Sequence, residues 1–212
     1  AARSLGLAIV AGGFSPAEAA PDPAAGGAGS GLGAVPPAGG ASAEAGFDPR
    51  PFNVLLAVDA DGRQVARQAK TRLYDAFSYR ESALARPGPI DAPAPVELGG
   101  VLFGLINCYE LRFPEHARRL MRAGAEAFAL SAAWVRGPFK EDHWVTLARA
   151  RAIENCAYVL AAGARGGDTI GRSMVVDPTG VVLAGLADQP EGLAFASLEP
   201  ARVAEARARA LP

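Results

Sequence analysis

The chain has 212 residues, 50% of them hydrophobic and 20% charged, which is enough to bury one substantial core in a single soluble domain. Its 21 basic and 22 acidic residues leave a formal net charge of -1, so the strong basic field that nucleic acid or an anionic membrane surface requires is lacking. With only Cys108 and Cys156, and only His116 and His143, the chain has neither a disulfide framework nor a zinc ligand set, and a reducing, cytoplasmic setting with no metal is expected.

The chain opens at Ala1 without an initiator methionine or a signal-peptide pattern, and its start inside a structural element is the mark of an N-terminally incomplete domain. No apolar run approaches the roughly 18–20 residues that cross a bilayer. Helix-like residues lead to Gly6, a stop signal, and Leu7 to Ala11 then reads as a short strand. The stretch 16–46 is dominated by Ala, Gly and Pro without apolar periodicity, and is expected as a disordered loop inserted between two strands of one domain spanning 1–212. Val54 to Val58, the Asp61-Gly62 turn and the return through Val65 predict a hairpin.

Val101 to Asn107 is a buried strand by its branched and aromatic content. Pro114 to Ala123 is a helix with Pro in its first turn and Gly124 as its stop. Ala127 to Ala132 is a strand, and Lys140 to Asn155 a helix whose inward face is drawn by Trp144, Leu147, Ala148 and Ile153. Further strands are predicted at Tyr158 to Ala162, Ser173 to Val176, Val181 to Ala184 and Leu193 to Leu198, with Pro178-Thr179-Gly180 as a hairpin connection and a final helix from Ala201 to Ala210.

Cys108 falls at the end of a predicted buried strand and just ahead of a helix, where a sharp turn exposes a nucleophile beside free backbone N–H groups. Taken alone, it reads more readily as a packed and inert thiol. Lys70 and Glu81 taken alone are a solvated strand-end charge and a loop carboxylate.

Cys108-Tyr-Glu-Leu-Arg-Phe-Pro-Glu115, Lys70-Thr-Arg-Leu-Tyr-Asp75 and Tyr79-Arg-Glu-Ser82 occur in the order found in the nitrilase (carbon-nitrogen hydrolase) superfamily, which the chain resembles. His143-Trp144 through Val159 and Ser173 through Gly180 extend the resemblance. It implies an α/β fold, a four-layer αββα sandwich whose N-terminal strands are missing here, commonly paired into a homodimer. It also implies a cofactor-free amidase in which Cys108 attacks a small amide substrate, Lys70 stabilises the oxyanion together with the backbone N–H of Tyr109, and Glu81 is the second glutamate. The primary general base would precede Ala1, since Glu18 and Glu44 lie in the inserted loop.

Tyr109 and Trp134 are the candidate substrate-binding residues, and Arg112 is expected in a structural ion pair. Family members commonly carry aspartate in place of Glu110 and histidine in place of Arg72. The motif around Cys108 is closest to the branch acting on ω-amides or deaminated glutathione. An N-carbamoyl amino acid hydrolase and a noncatalytic interaction protein stay open as alternatives.

Overall fold

The computed structural model describes residues 2–15, 48–90, 94–187, 189 and 191–210. The expected loop at 16–46 lies outside the described residues. Helix α1 (Ala2–Leu5) stops at Gly6, which takes φ +62°, a left-handed conformation that glycine adopts without a Cβ clash. Strands β1 (Ile9–Ser15), β2 (Phe52–Val58) and β3 (Gln64–Ala69) form an antiparallel sheet in that order, with Gly62 at φ +80° in the β2–β3 turn. A small hairpin follows, β4 (Asp75–Ala76) and β5 (Tyr79–Arg80).

The second sheet is built from β6 (Val96–Leu98), β7 (Val101–Asn107), then, after helix α2 (Pro114–Arg122), β8 (Ala127–Ala132) and, after helix α3 (Lys140–Asn155), β9 (Tyr158–Gly163). A two-stranded ribbon, β10 (Arg165–Gly166) and β11 (Thr169–Ile170), precedes β12 (Met174–Val176) and β13 (Val182–Gly185), and helix α4 (Pro200–Ala210) ends the described chain. The sheet order is β13-β12-β9-β8-β7-β6. Its centre, β7, β8 and β9, is parallel, so α2 and α3 serve as the crossovers that parallel neighbours require.

Side chains alternate across this central sheet and give it two buried faces. Phe128 and Leu130 on β8 turn toward Leu120 of α2 and Trp144 and Ala148 of α3. Ala127 and Ala129 turn the other way and meet Leu55 and Ala57 of the first sheet, together with Leu105 and Tyr158. The layers therefore run helices, sheet, sheet, in an α/β architecture, and α1 reaches the β2–β3 turn, where Arg3 Nε donates to the Asp61 carbonyl at 2.7 Å. No described helix is long and apolar enough to cross a membrane.

Two expectations are corrected. Leu193 to Leu198 pairs with no strand; Leu193 and Phe195 are each 78% exposed, so this apolar run has no sheet neighbour to cover it. On α3 the buried face is Trp144, Ala148, Arg151, Ala152 and Asn155, whereas Ile153 is 50% exposed. A buried arginine and asparagine displaced the expected apolar positions because each has a local acceptor. Arg151 Nε donates to the Leu111 carbonyl at 3.0 Å, and Asn155 Nδ2 to the Arg151 carbonyl at 2.9 Å.

Candidate active site

Strand β7 runs straight into a 3-10 turn at Cys108–Arg112, and Cys108 itself takes φ +51°. A left-handed conformation costs a residue with a Cβ about 1–2 kcal/mol, so something must hold it. Glu110, only 1% exposed, does so: its Oε2 accepts from the Asn107 backbone N–H at 2.9 Å. Its Oε1 accepts from the backbone N–H and the hydroxyl of Thr71, at 2.7 and 2.9 Å. One buried carboxylate thereby ties the elbow that carries Cys108 to the residue following Lys70.

Lys70 continues β3, its backbone N–H donating to the Asn53 carbonyl at 2.7 Å. Its side chain is 2% exposed and its Nζ donates to Glu81 Oε2 at 2.6 Å. Glu81 opens a 3-10 turn after β5 and accepts two more hydrogen bonds, from Asn53 Nδ2 at 2.7 Å and from the Tyr74 backbone N–H at 2.6 Å. Asn107 Nδ2 donates to Asn53 Oδ1 at 2.9 Å and closes the network back to the elbow. The three predicted residues Cys108, Lys70 and Glu81 thus line one cavity of about 860 Å³, with Asn53, Tyr74 and Lys140.

Burial pushes the Cys108 thiol up from its ordinary value; Lys70 pulls it down, Glu81 pushes it up, and the backbone amides of Ala133 and Tyr109 add smaller downward pulls. The thiol therefore holds its proton at neutral pH and needs a base in order to attack. Tyr109 and Trp134 line a recess of about 30 Å³ beside Cys108. The Tyr109 ring packs edge-on against Tyr74 at 5.0 Å and Phe113 at 5.4 Å. Trp134 is 5% exposed, tilts against Trp144 at 5.4 Å and donates from Nε1 to the Lys140 carbonyl at 2.9 Å.

Arg112 departs from expectation. Among the described residues it has no carboxylate partner; its guanidinium lies 4.9 Å from the Trp134 ring centroid and 3.4 Å from His143 Nδ1, and its buried Nε has no acceptor. Glu110, expected only as a departure from the family pattern, is the anchor of the elbow. Asn53, Tyr74 and Lys140 were not marked by the sequence, because no local pattern identifies a side chain that reaches a cavity from another element.

The sequence model for carbon-nitrogen hydrolases matches residues 37–208. The chain belongs to the carbon-nitrogen hydrolase family. This hydrolase chain is 46% identical over 160 residues to putative protein YbeM of Escherichia coli K12, an alignment covering 76% of the chain and 84% of that relative. It is also 46% identical over 160 residues to a deaminated glutathione amidase of Escherichia coli O157:H7, covering 76% of the chain and 60% of the amidase. The chain thus spans less than two thirds of that amidase's length. Among solved structures, the NitFhit protein of Caenorhabditis elegans superposes with a TM-score of 0.70 at 34% identity, over 76% of this chain and 40% of that one.

Proposed function

We propose that this carbon-nitrogen hydrolase chain carries the nucleophile of an amidase acting on a small carboxamide. The observation that carries the reading is the buried Lys70–Glu81 pair, 2.6 Å apart, lining one cavity with a cysteine held in a left-handed elbow. In the proposed cycle the Cys108 sulfur bonds to the amide carbon, and charge develops on the carbonyl oxygen. Lys70 and the backbone N–H of Tyr109 are set to stabilise that charge. Collapse breaks the C–N bond, the nitrogen leaves as ammonia carrying the thiol's proton, and water then cleaves the thioester to the acid and restores the thiol.

Glu81 has its oxygens committed to Lys70, Asn53 and Tyr74, so its role is to fix the lysine. The resemblance assigns the thiol's proton to a further glutamate ahead of Ala1, and the test therefore uses the whole natural protein. That protein should release ammonia from small carboxamides and accumulate a thioester visible by intact mass, with both lost in Cys108→Ala. Ammonia release that survives the substitution overturns the mechanism. The amidase named for the deaminated glutathione substrate supports the branch assignment. A homodimer in a reducing, cytoplasmic setting belongs to the same reading, supported by the apolar edge Val181, Val182 and Leu183, at 54%, 44% and 46% exposed, and by two free cysteines.

A further inference from the structure

Helix α2 buries a histidine against the back of the elbow. His116 is 6% exposed, and its Nε2 lies 3.1 Å from the Leu105 carbonyl oxygen and 3.6 Å from Glu110 Oε2. A carbonyl and a carboxylate offer only lone pairs, so the chemistry of these two neighbours assigns a proton to Nε2. Leu105 precedes Cys108 on β7, and Glu110 follows it in the 3-10 turn. A single N–H therefore faces both sides of the nucleophile's elbow.

Among the described residues, His116 is the one potentially cationic side chain within ion-pair distance of Glu110. The two acceptors do not depend on it equally. The Leu105 carbonyl also receives Gln68 Nε2 at 3.0 Å, whereas Glu110 Oε2 has the Asn107 N–H at 2.9 Å and then the imidazole. At 3.6 Å the ring acts on the carboxylate through its charge and dipole, beyond the reach of a full hydrogen bond. A buried carboxylate that loses such a neighbour is left under-compensated and moves toward better partners. That movement would reach the chemistry, because the other oxygen of Glu110 holds Thr71, the residue after Lys70. The next buried positions of α2, Ala117 and Leu120, are apolar, and an apolar side chain at 116 would fill the same space without supplying the donor.

We propose that His116 is a positioning residue, whose Nε2–H between the Leu105 carbonyl and the Glu110 carboxylate keeps Cys108 close to Lys70. The consequence for turnover rests on the amidase reading, but the placement of the thiol can be tested apart from it.

The test uses the whole natural protein, His116→Leu, which removes the donor and keeps apolar bulk, and His116→Gln, whose amide N–H can replace Nε2–H. With glutaramate and propionamide as probes, His116→Leu should lower kcat about ten- to hundredfold with KM changed by less than about twofold, as for a misplaced reacting group, and His116→Gln should recover most of the loss. Cys108 alkylation by iodoacetamide reads the same geometry without turnover. If the sulfur and Lys70 draw apart, the pH midpoint of alkylation should climb in His116→Leu. In a Lys70→Met background the same substitution should add nothing, since the interaction it weakens is already gone.

Should His116→Leu fail to fold, nitrogen-15 NMR of the unaltered protein must still show the ring protonated at Nε2, and His116→Gln must keep the natural alkylation midpoint. A ring protonated at Nδ1 alone overturns the inference. So does a loss of kcat in His116→Leu with an unmoved alkylation midpoint, which assigns the residue to packing, and neither result touches the amidase reading. A midpoint that climbs only when Lys70 is present, in a protein that releases no ammonia from either probe, upholds the positioning role and removes the amidase reading.

Discussion

At Cys108 two opposing influences on one sulfur meet: burial raises the thiol, and the neighbouring Lys70 lowers it. The balance lies on the side of burial, so the protonated form persists above the pH at which an ordinary cysteine, with its value of about 8.5, ionises. Alkylation of Cys108 by iodoacetamide, followed by peptide mass spectrometry, should therefore be slow at neutral pH and rise with a midpoint above that value. In Lys70→Met the midpoint should climb further, since the pull from Lys70 is gone. A downward move would mean that the lysine does not act on the sulfur. Of the residues that build this site, Cys108, Lys70 and Glu81 were legible through their ordered motifs. Glu110 and Asn53 were not, because Glu110 holds backbone groups of Thr71 and the elbow and Asn53 holds the Glu81 and Asn107 side chains, and nothing in a local pattern reveals such a meeting.

Among the elements, β7 and α2 show how closely the elbow is held. Gly104 lies on β7 where a Cβ would come within 2.9 Å of Leu120 Cβ and 3.0 Å of Phe128 Cδ1, so the glycine is what lets the helix settle on the strand. Gly104→Ala should destabilise the fold by about 1–3 kcal/mol, the cost of overpacking a filled interior, read as a lower urea midpoint at unchanged slope. A midpoint equal to that of the unaltered protein would show that Leu120 yields without cost. The elements around β7 explain which parts of the fold were readable. Val101–Asn107, Ala127–Ala132 and Lys140–Asn155 were predicted at their observed bounds because each has a continuous apolar or periodic pattern between strong stop signals. The β4–β5 hairpin was not, since its turn residues are Phe77 and Ser78, and Leu193 to Leu198 was misread because alternation alone does not supply a neighbouring strand.

For the molecule as a whole, helix α4 is joined to the second sheet through one acid. Asp177 is fully buried at the β12–β13 turn; its Oδ1 accepts from the Thr179 and Val181 backbone N–H groups, each at 2.9 Å, and its Oδ2 pairs with Arg202 of α4. Val203 on the same helix enters the core between the sheets, and Tyr158 Oη accepts from the Glu199 N–H at 3.3 Å. Burial pushes the Asp177 carboxyl up, but Arg202 and the turn's hydrogen bonds together outweigh it and hold the group below its ordinary value. A carboxyl lowered on folding contributes stability that is complete above the unfolded value of about 3.9 and is lost as pH falls through the folded value. Asp177→Asn should therefore cost about 1.5–3 kcal/mol at neutral pH, the range for hydrogen bonds to a charged group, when unfolding is followed in urea. The gap to the natural protein should narrow as the pH is taken below about 4, because the natural carboxyl is then being protonated as well. A gap that stays constant across that range would assign the loss to turn geometry alone and remove the charge from the account of how α4 is held.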